Sequence, residues 1–298
     1  MKRLTRFISI LLIPVIILFI IYLPRYADTE LHRNRFTEWL SREEEAYSGS
    51  ISIWHVVGFK PYIGSMGTFL KSRAKGVEKK HFGVYIDIEA ITLEEAEKRM
   101  LDGEFPDAIS FPAGFLGSES LRVFTSDEAS DFDFLPDLSC GIQDSRLYAL
   151  PYAASCEFII YDPGKLDIAD INTASVSGSM EEYKKNKVDC FIGDARTAGD
   201  LSRAAVAGKG RYFAAASVET ETKLVQYLGI GKKCASVKIP YIIELFKSVF
   251  TEKAMTELCE LGLFPFFAAE KYDYEQEYLL SAYERYRKGE VRFTSFSD

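Results

Sequence analysis

Residues 50–57 read Ser50-Ile-Ser-Ile-Trp-His-Val-Val57, residues 84–89 read Val84-Tyr-Ile-Asp-Ile-Glu89, and residues 107–111 read Asp107-Ala-Ile-Ser-Phe111. Each is a short run rich in β-branched and aromatic residues, the composition of strands. The first stops at Gly58 and the third runs into Pro112. Between the first two, residues 68–80 put Phe69, Leu70, Ala74 and Val77 on one side of a helix. Between the second and third, Thr92 and Glu95 have capping-box spacing, and the helix they open stops at Gly103. This β-α-β-α-β succession predicts an α/β fold with right-handed crossovers. Residues 51–57, 84–89, 107–111 and 224–230 are expected in one mainly parallel sheet covered by helices on both faces. Ligands of such sheets sit beyond the carboxyl ends of the strands, here residues 58–65 and 112–118.

Toward the C-terminus, residues 118–145 are acidic and irregular and read as a surface loop with short turns. Residues 147–161 form a long extended stretch interrupted by Pro151, and residues 163–180 are small and polar without periodicity. Helical patterns follow at 180–186, 197–206, 236–250, 251–261 and 274–288, with strand patterns at 188–192, 211–217 and 224–230. There is no repeat and no low-complexity tract.

Toward the N-terminus, residues 32–47 pattern as a charged stalk helix, and Phe7 to Leu23 is an apolar run broken only by Ser9 and Pro14. As an ideal helix that run spans ~26 Å, close to the least that crosses a bilayer. Lys2, Arg3 and Arg6 precede it, so the positive-inside rule puts the N-terminus in the cytoplasm and the rest outside. Arg25 and Ala27 make a poor cleavage site before Asp28, and the first cysteine is Cys140, far from any lipoprotein position. The expectation is an uncleaved single-pass anchor in the cell membrane, with the main domain extracytoplasmic.

The 298 residues are 47% hydrophobic and 27% charged, ample for a packed core. Net charge is −8, and four of the cations precede the first acid, so the remainder is more acidic still. Such a body repels phosphate backbones, which excludes nucleic acid as an expected partner. The five cysteines show no CxxC pair, and His32, His55 and His81 lie at no ligand spacing, so no metal and no cofactor are expected.

The segment from Ile51 to Phe115 resembles the first lobe of bacterial extracellular solute-binding proteins of the carbohydrate type that work with ABC transporters. The resemblance rests on an ordered series: the strand ending in Trp54-His55, Phe69-Leu70, Glu78-Lys-Lys-His-Phe-Gly83, the Val84-Tyr-Ile86 strand and Pro106-Asp-Ala-Ile-Ser-Phe111. Tyr148-Ala-Leu-Pro-Tyr152 running to Ile160-Tyr-Asp162 is similar to the family's hinge strand. Lys187-Val-Asp-Cys-Phe-Ile-Gly193, Leu224-Val-Gln-Tyr-Leu-Gly229 and Gly262-Leu-Phe-Pro265 match later elements. The resemblance covers roughly residues 48–270 and implies a periplasmic-binding-protein-like fold: two lobes joined by hinge strands. Two departures stand out. Residues 163–180 replace a long helical insertion, so the second lobe should be reduced, and the lipid-anchor cysteine is missing. The expected division is an anchor at 1–27, a stalk at 28–49, a first lobe from 50–146 and 223–270, and a hinge with reduced second lobe from 147–222 and 271–298.

Sugars are held by aromatic faces against their CH surfaces and by polar groups on their hydroxyls. Phe59, Tyr62, Phe115, Tyr152 and Tyr227 are the candidate platform, weighed against ordinary packing of 22 Phe and 17 Tyr. The family pattern would turn Arg196, after the Gly193 turn, toward the cleft, and a low facing wall would leave that cleft open to water. Trp54 reads as core. Asp87 and Glu89 share a strand face and could pose as a glycosidase pair, but a solvated edge fits better. Ser72 and Lys75 match S-x-x-K without its partner motifs, and Gly229 to Lys233 lacks a nucleotide-loop spacing. The sequence thus points to a non-catalytic, membrane-anchored solute-binding protein for a small sugar or oligosaccharide, serving an ABC permease or a sensor. The competing reading is a degenerate solute-binding fold kept as a structural or protein-interaction module.

Overall fold

The structure is a computed structural model that describes residues 47–135, 138–266 and 272–297. The anchor at residues 7–23 and nearly all of the stalk lie outside them, and no helix among the described residues is long and apolar enough to cross a membrane.

The chain opens with β1 (Gly49–Val57), α1 (Met66–Glu78), β2 (Val84–Thr92), α2 (Leu93–Leu101) and β3 (Ala108–Pro112). Helix α1 begins two residues before the apolar pattern does, at the N-cap Ser65. Thr92 caps α2 by accepting from the Glu95 amide at 3.2 Å, while the Glu95 carboxylate turns to Arg99 instead of closing the box. Next come β4 (Ala149–Ala154), β5 (Phe158–Tyr161), α3 (Met180–Lys184), β6 (Cys190–Gly193), α4 (Ala195–Val206), β7 (Ala214–Ala216) and β8 (Val225–Ile230). Then follow α5 (Ile239–Val249), α6 (Glu252–Glu260), β9 (Phe264–Pro265) and α7 (Glu277–Arg287).

Two sheets result. Six strands run in the order β9-β4-β8-β3-β1-β2, and three in the order β6-β5-β7. The four strands expected together are together, but the first sheet is mixed rather than mainly parallel. Strands β1, β2 and β3 are parallel, whereas β8 is antiparallel to both β3 and β4. The reason is the route of the chain. Strand β8 arrives from the second lobe, so it enters at the carboxyl end of β3 and runs back without a crossover helix.

One face of the large sheet buries Ile51, Ile53, Ile86, Ile88, Leu150 and Leu228 under α1, α5 and α6. The acidic segment 118–145 contributes more than a surface loop. It sends Phe124, Phe132 and Leu135 into this core, where Phe132 meets the Phe250 ring at 5.8 Å. The other face, with Val56, Ile109, Phe111 and Tyr227, belongs to an apolar cluster that continues into the second lobe through Phe158, Ile160, Tyr183 and Leu201.

The extended stretch 147–161 divides between the sheets, β4 in the first and β5 in the second, so residues 155–157 are a crossing. The return crossing lies beside it: the Thr222 hydroxyl donates to the Ser155 carbonyl at 2.7 Å and the Ser155 amide to Leu224 at 2.8 Å. Helix α7 packs on the small sheet, Tyr278 meeting Phe158 edge-on at 5.3 Å. Beyond it, Arg292–Phe293 pair with Glu221–Thr222, and Phe296 is fully buried against Phe111 and Tyr227.

In the second lobe, residues 163–179 hold two 3-10 turns ahead of α3. The lobe is organised by Arg211, whose guanidinium donates to Asp162 at 2.6 Å, to Asp189 at 2.8 Å and to the Val188 carbonyl at 3.0 Å. It also lies 4.3 Å from the Tyr183 ring centre. Arg211 holds the Asp162 carboxyl below its ordinary range, and Lys165 together with Arg211 does the same for Asp189.

Candidate functional site

The carboxyl ends of β1 and β3 carry the loops 58–65 and 113–117, and the second lobe approaches these loops through α4. Beneath them lies a buried polar network. His55 and Ser110 are register partners on β1 and β3, with Nδ1 of the imidazole 3.0 Å from the serine Oγ. The same Oγ is 3.0 Å from the Tyr152 hydroxyl on β4 and accepts from Gln226 Nε2 on β8 at 3.0 Å. Gln226 Nε2 also donates to the Val56 carbonyl at 2.9 Å, and its Oε1 has no partner among the described residues. Burial pushes the His55 pKa down to about 4, so the ring is neutral at pH 7. A serine beside a histidine invites a nucleophile reading. Here the Oγ has two lone pairs and one proton for three partners, at a position with no exposure, so it has no bond left for a substrate.

Two cavities open at the strand ends, separated by the buried Phe59. The smaller, about 220 Å³, lies at the N-terminus of α1 and is walled by His55, Lys60, Pro61, Ser65, Met66 and Arg196, among others. The larger, about 340 Å³, lies between Leu93 and Glu97 of α2, the turn from Pro112 to Phe115, and Lys223 with Leu224 at the return crossing. Among the described residues no cluster of His, Cys, Asp and Glu could hold a metal ion.

Beside the smaller cavity the lobes are already joined. Arg196, in the first turn of α4, donates from Nε to the Pro61 carbonyl and from Nη2 to the Gly64 carbonyl, both at 2.7 Å. Tyr62 reaches across from the first-lobe loop. A Cβ at Gly199 of α4 would lie 2.6 Å from its ring, and one at Gly262 would run into its Cβ. The Arg203 guanidinium stacks 5.4 Å from the ring centre. The cleft expected to be open to water is therefore filled in part from within. Two glycines without side chains are what admit the tyrosine.

Of the residues named from sequence, Phe59 stands between both cavities, Arg196 lines the smaller and Phe115 the larger. Tyr62 sits in the seam between the lobes. Tyr152 and Tyr227 are fully buried, the first in the Ser110 network and the second donating to the Thr294 carbonyl at 2.6 Å, and neither lines these two cavities. Glu89 is held by Arg99 at 2.7 and 2.8 Å on the outer strand β2, while Asp87 is exposed nearby. Ser72 Oγ donates to the Phe69 carbonyl of its own helix. Sequence reasoning missed the network of His55, Ser110 and Gln226. Its signal was a polar residue in each of three apolar strands, His55 toward the carboxyl end of β1 and Gln226 near the amino end of the antiparallel β8, which the fold brings to one end of the sheet.

No family model and no curated protein matches the chain. Solved structures do. A chitin oligosaccharide binding protein superposes with a TM-score of 0.61 at 11% identity, over 84% of this chain and 89% of its own. The galacto-N-biose-/lacto-N-biose I-binding protein of the ABC transporter from Bifidobacterium longum gives 0.60 at 11% identity, over 85% and 89%. Iron-bound HitA from Pseudomonas aeruginosa gives 0.53 at 10% identity, over 81% and 98%. With its two sheets, doubled crossing and strand-end cavities, this chain has the periplasmic-binding-protein-like fold seen in carbohydrate-type solute-binding proteins of ABC transporters.

Proposed function

We propose that the protein is an extracytoplasmic solute-binding protein that takes a small solute of the carbohydrate class at the strand ends, for ABC-transporter uptake or for sensing, without catalysis. The observation that carries this reading is the pair of cavities flanking Phe59, in a fold shared with a chitin oligosaccharide binding protein and a lacto-N-biose-binding protein. Phe115, half-buried in the wall of the larger cavity, offers sugar CH surface an aromatic face. The fold alone does not choose the solute, since an iron-bound protein has it too. Residues 7–23 would tether the domain to the outer face of the cell membrane, a reading that rests on the apolar run and its preceding cations. Titration calorimetry of the full-length chain with mono- and oligosaccharides tests the function. Heat that saturates for at least one sugar and vanishes in Phe115→Ala supports it, and no saturable heat from any sugar overturns it.

The Tyr62 seam favours a second reading. Tyr62 and Arg196 join the lobes by direct contact, as side chains would in a solute-binding fold retained as a protein-interaction module. Small-angle scattering separates the two. A solute-binding protein changes its radius of gyration when sugar is added, and an interaction module does not.

A further inference from the structure

The smaller cavity has a charge that the carbohydrate reading does not explain. Its wall includes two cations, Lys60 and Arg196, and no carboxylate. Arg196 spends its bonds on the carbonyls of Pro61 and Gly64, and neither cation has an acidic partner among the described residues. In a chain of net charge −8 this is an unusual place to leave two positive charges unanswered. Helix α1, 13 residues long, points its N-terminus at the same space. Its N-cap Ser65 makes no side-chain cap bond, and its first turn holds no acid, so the positive end of the helix dipole is not neutralised locally. His55 is the third feature, and it is independent of the helix. The residue is 2% exposed, yet it forms part of the cavity wall. Ser110 takes Nδ1, which leaves the opposite edge of the ring, with Nε2, toward the cavity and without a partner among the described residues.

We propose that the cavity at the N-terminus of α1 is an oxyanion site, taking a carboxylate or phosphate group of the solute between Lys60, Arg196, His55 and the first-turn amides of the helix. The inference rests on the solute-binding reading and narrows it: the solute is an acidic sugar. At about 220 Å³ the cavity suits a charged group with its water better than an oligosaccharide, and the sugar body would extend past Phe59 into the larger cavity. Burial keeps the imidazole neutral, with its pKa near 4. A neutral ring serves an anion through one N–H. With the Ser110 proton on Nδ1 that N–H is Nε2, and an anion in the cavity selects this tautomer.

The test is calorimetry of the full-length chain with glucose 6-phosphate and galacturonate, their neutral counterparts glucose and galactose, and inorganic phosphate. The acidic sugars should bind at least about tenfold more tightly than the neutral ones, with the advantage shrinking as salt is added. Arg196→Gln also releases the loop at Pro61 and Gly64, so the deciding variant is Lys60→Gln, whose side chain is exposed and holds nothing in the fold. It should weaken the acidic sugars severalfold more than any neutral sugar. Equal affinity for acidic and neutral sugars overturns the oxyanion site while the solute-binding reading stands, and so does acidic binding untouched by Lys60→Gln. Phosphate binding that Lys60→Gln weakens, with no sugar bound, keeps the site and overturns the sugar reading. Silence from every probe overturns both.

Discussion

The first lobe buries a six-stranded sheet between helices, while the second arranges three short strands around one arginine. In the first, Phe246 of α5 has no exposure and meets the Phe124 ring at 6.4 Å, inside a core of Ile, Leu and Phe side chains. The second has a smaller apolar cluster around Phe158, Ile160, Phe191 and Leu201 and adds a polar hub, where Arg211 reaches Asp162, Asp189, Tyr183 and Val188 from a single side chain. Apolar burial is indifferent to pH and strengthened by many salts, whereas an ion-paired hub depends on both. The two lobes of one chain should therefore fail under different conditions.

The largest expected effect is in the first lobe. Phe246→Ala empties a site that nothing nearby can refill and should cost about 3–5 kcal/mol in urea denaturation. A loss below about 1 kcal/mol would break the claim that apolar packing carries this lobe.

Arg211→Met should cost less at neutral pH but change the acid profile. The folded pKa values of Asp162 and Asp189 are depressed. Their contribution is therefore present above the unfolded value, near 4, and is lost as pH falls through the depressed folded values. The unmodified protein should lose stability steeply in that window, and Arg211→Met should start lower and fall less. Parallel profiles in acid titration followed by circular dichroism would remove Arg211 from its central place.

The seam tests whether the lobes are joined by shape. Gly199→Val presses a side chain into the Tyr62 ring and should cost about 1–3 kcal/mol as overpacking does. Tyr62→Ala in the same chain should recover most of that loss, because it removes the ring being pressed. A double-mutant cycle showing no coupling would mean the two residues do not meet.

What was legible in the sequence follows the same divide. Strands β1 and β3 were readable because alternation and their turn signals are local, and so were the loops that follow them. Phe59 and Phe115 were named from those loops, whereas Arg196 was named only from the family resemblance. The direction of β8 was not readable, since it depends on where the chain re-enters the sheet, a fact held by the route through the second lobe. Phe124, Phe132 and Leu135 were missed because single aromatics among acids carry no period. The Tyr62 seam depends on Gly199 and Gly262, distant in sequence, and a glycine announces room without saying for whom. Tyr152 and Tyr227 were proposed for a surface because strand-end aromatics look alike whether they face a cavity or a core.

The smallest effect tests the hinge side of the seam. Asp194 caps α4: its Oδ1 accepts from the Thr197 amide at 2.8 Å and from the Thr197 hydroxyl at 2.6 Å. That cap sets the first turn of the helix, and Arg196 stands in that turn with both its carbonyl contacts on the other lobe. Asp194→Ala removes the acceptor and the negative charge at the positive end of the helix, for about 1 kcal/mol. Because the fraying begins where Arg196 is held, the loss should spread across the seam. Hydrogen exchange should quicken in the first turn of α4 and in the loop 58–65, while the amides of α5 in the first-lobe core keep their rates. If exchange rises in α4 alone, Arg196 holds its carbonyls without the help of its helix cap, and the lobes are joined by Tyr62 and the crossing strands instead.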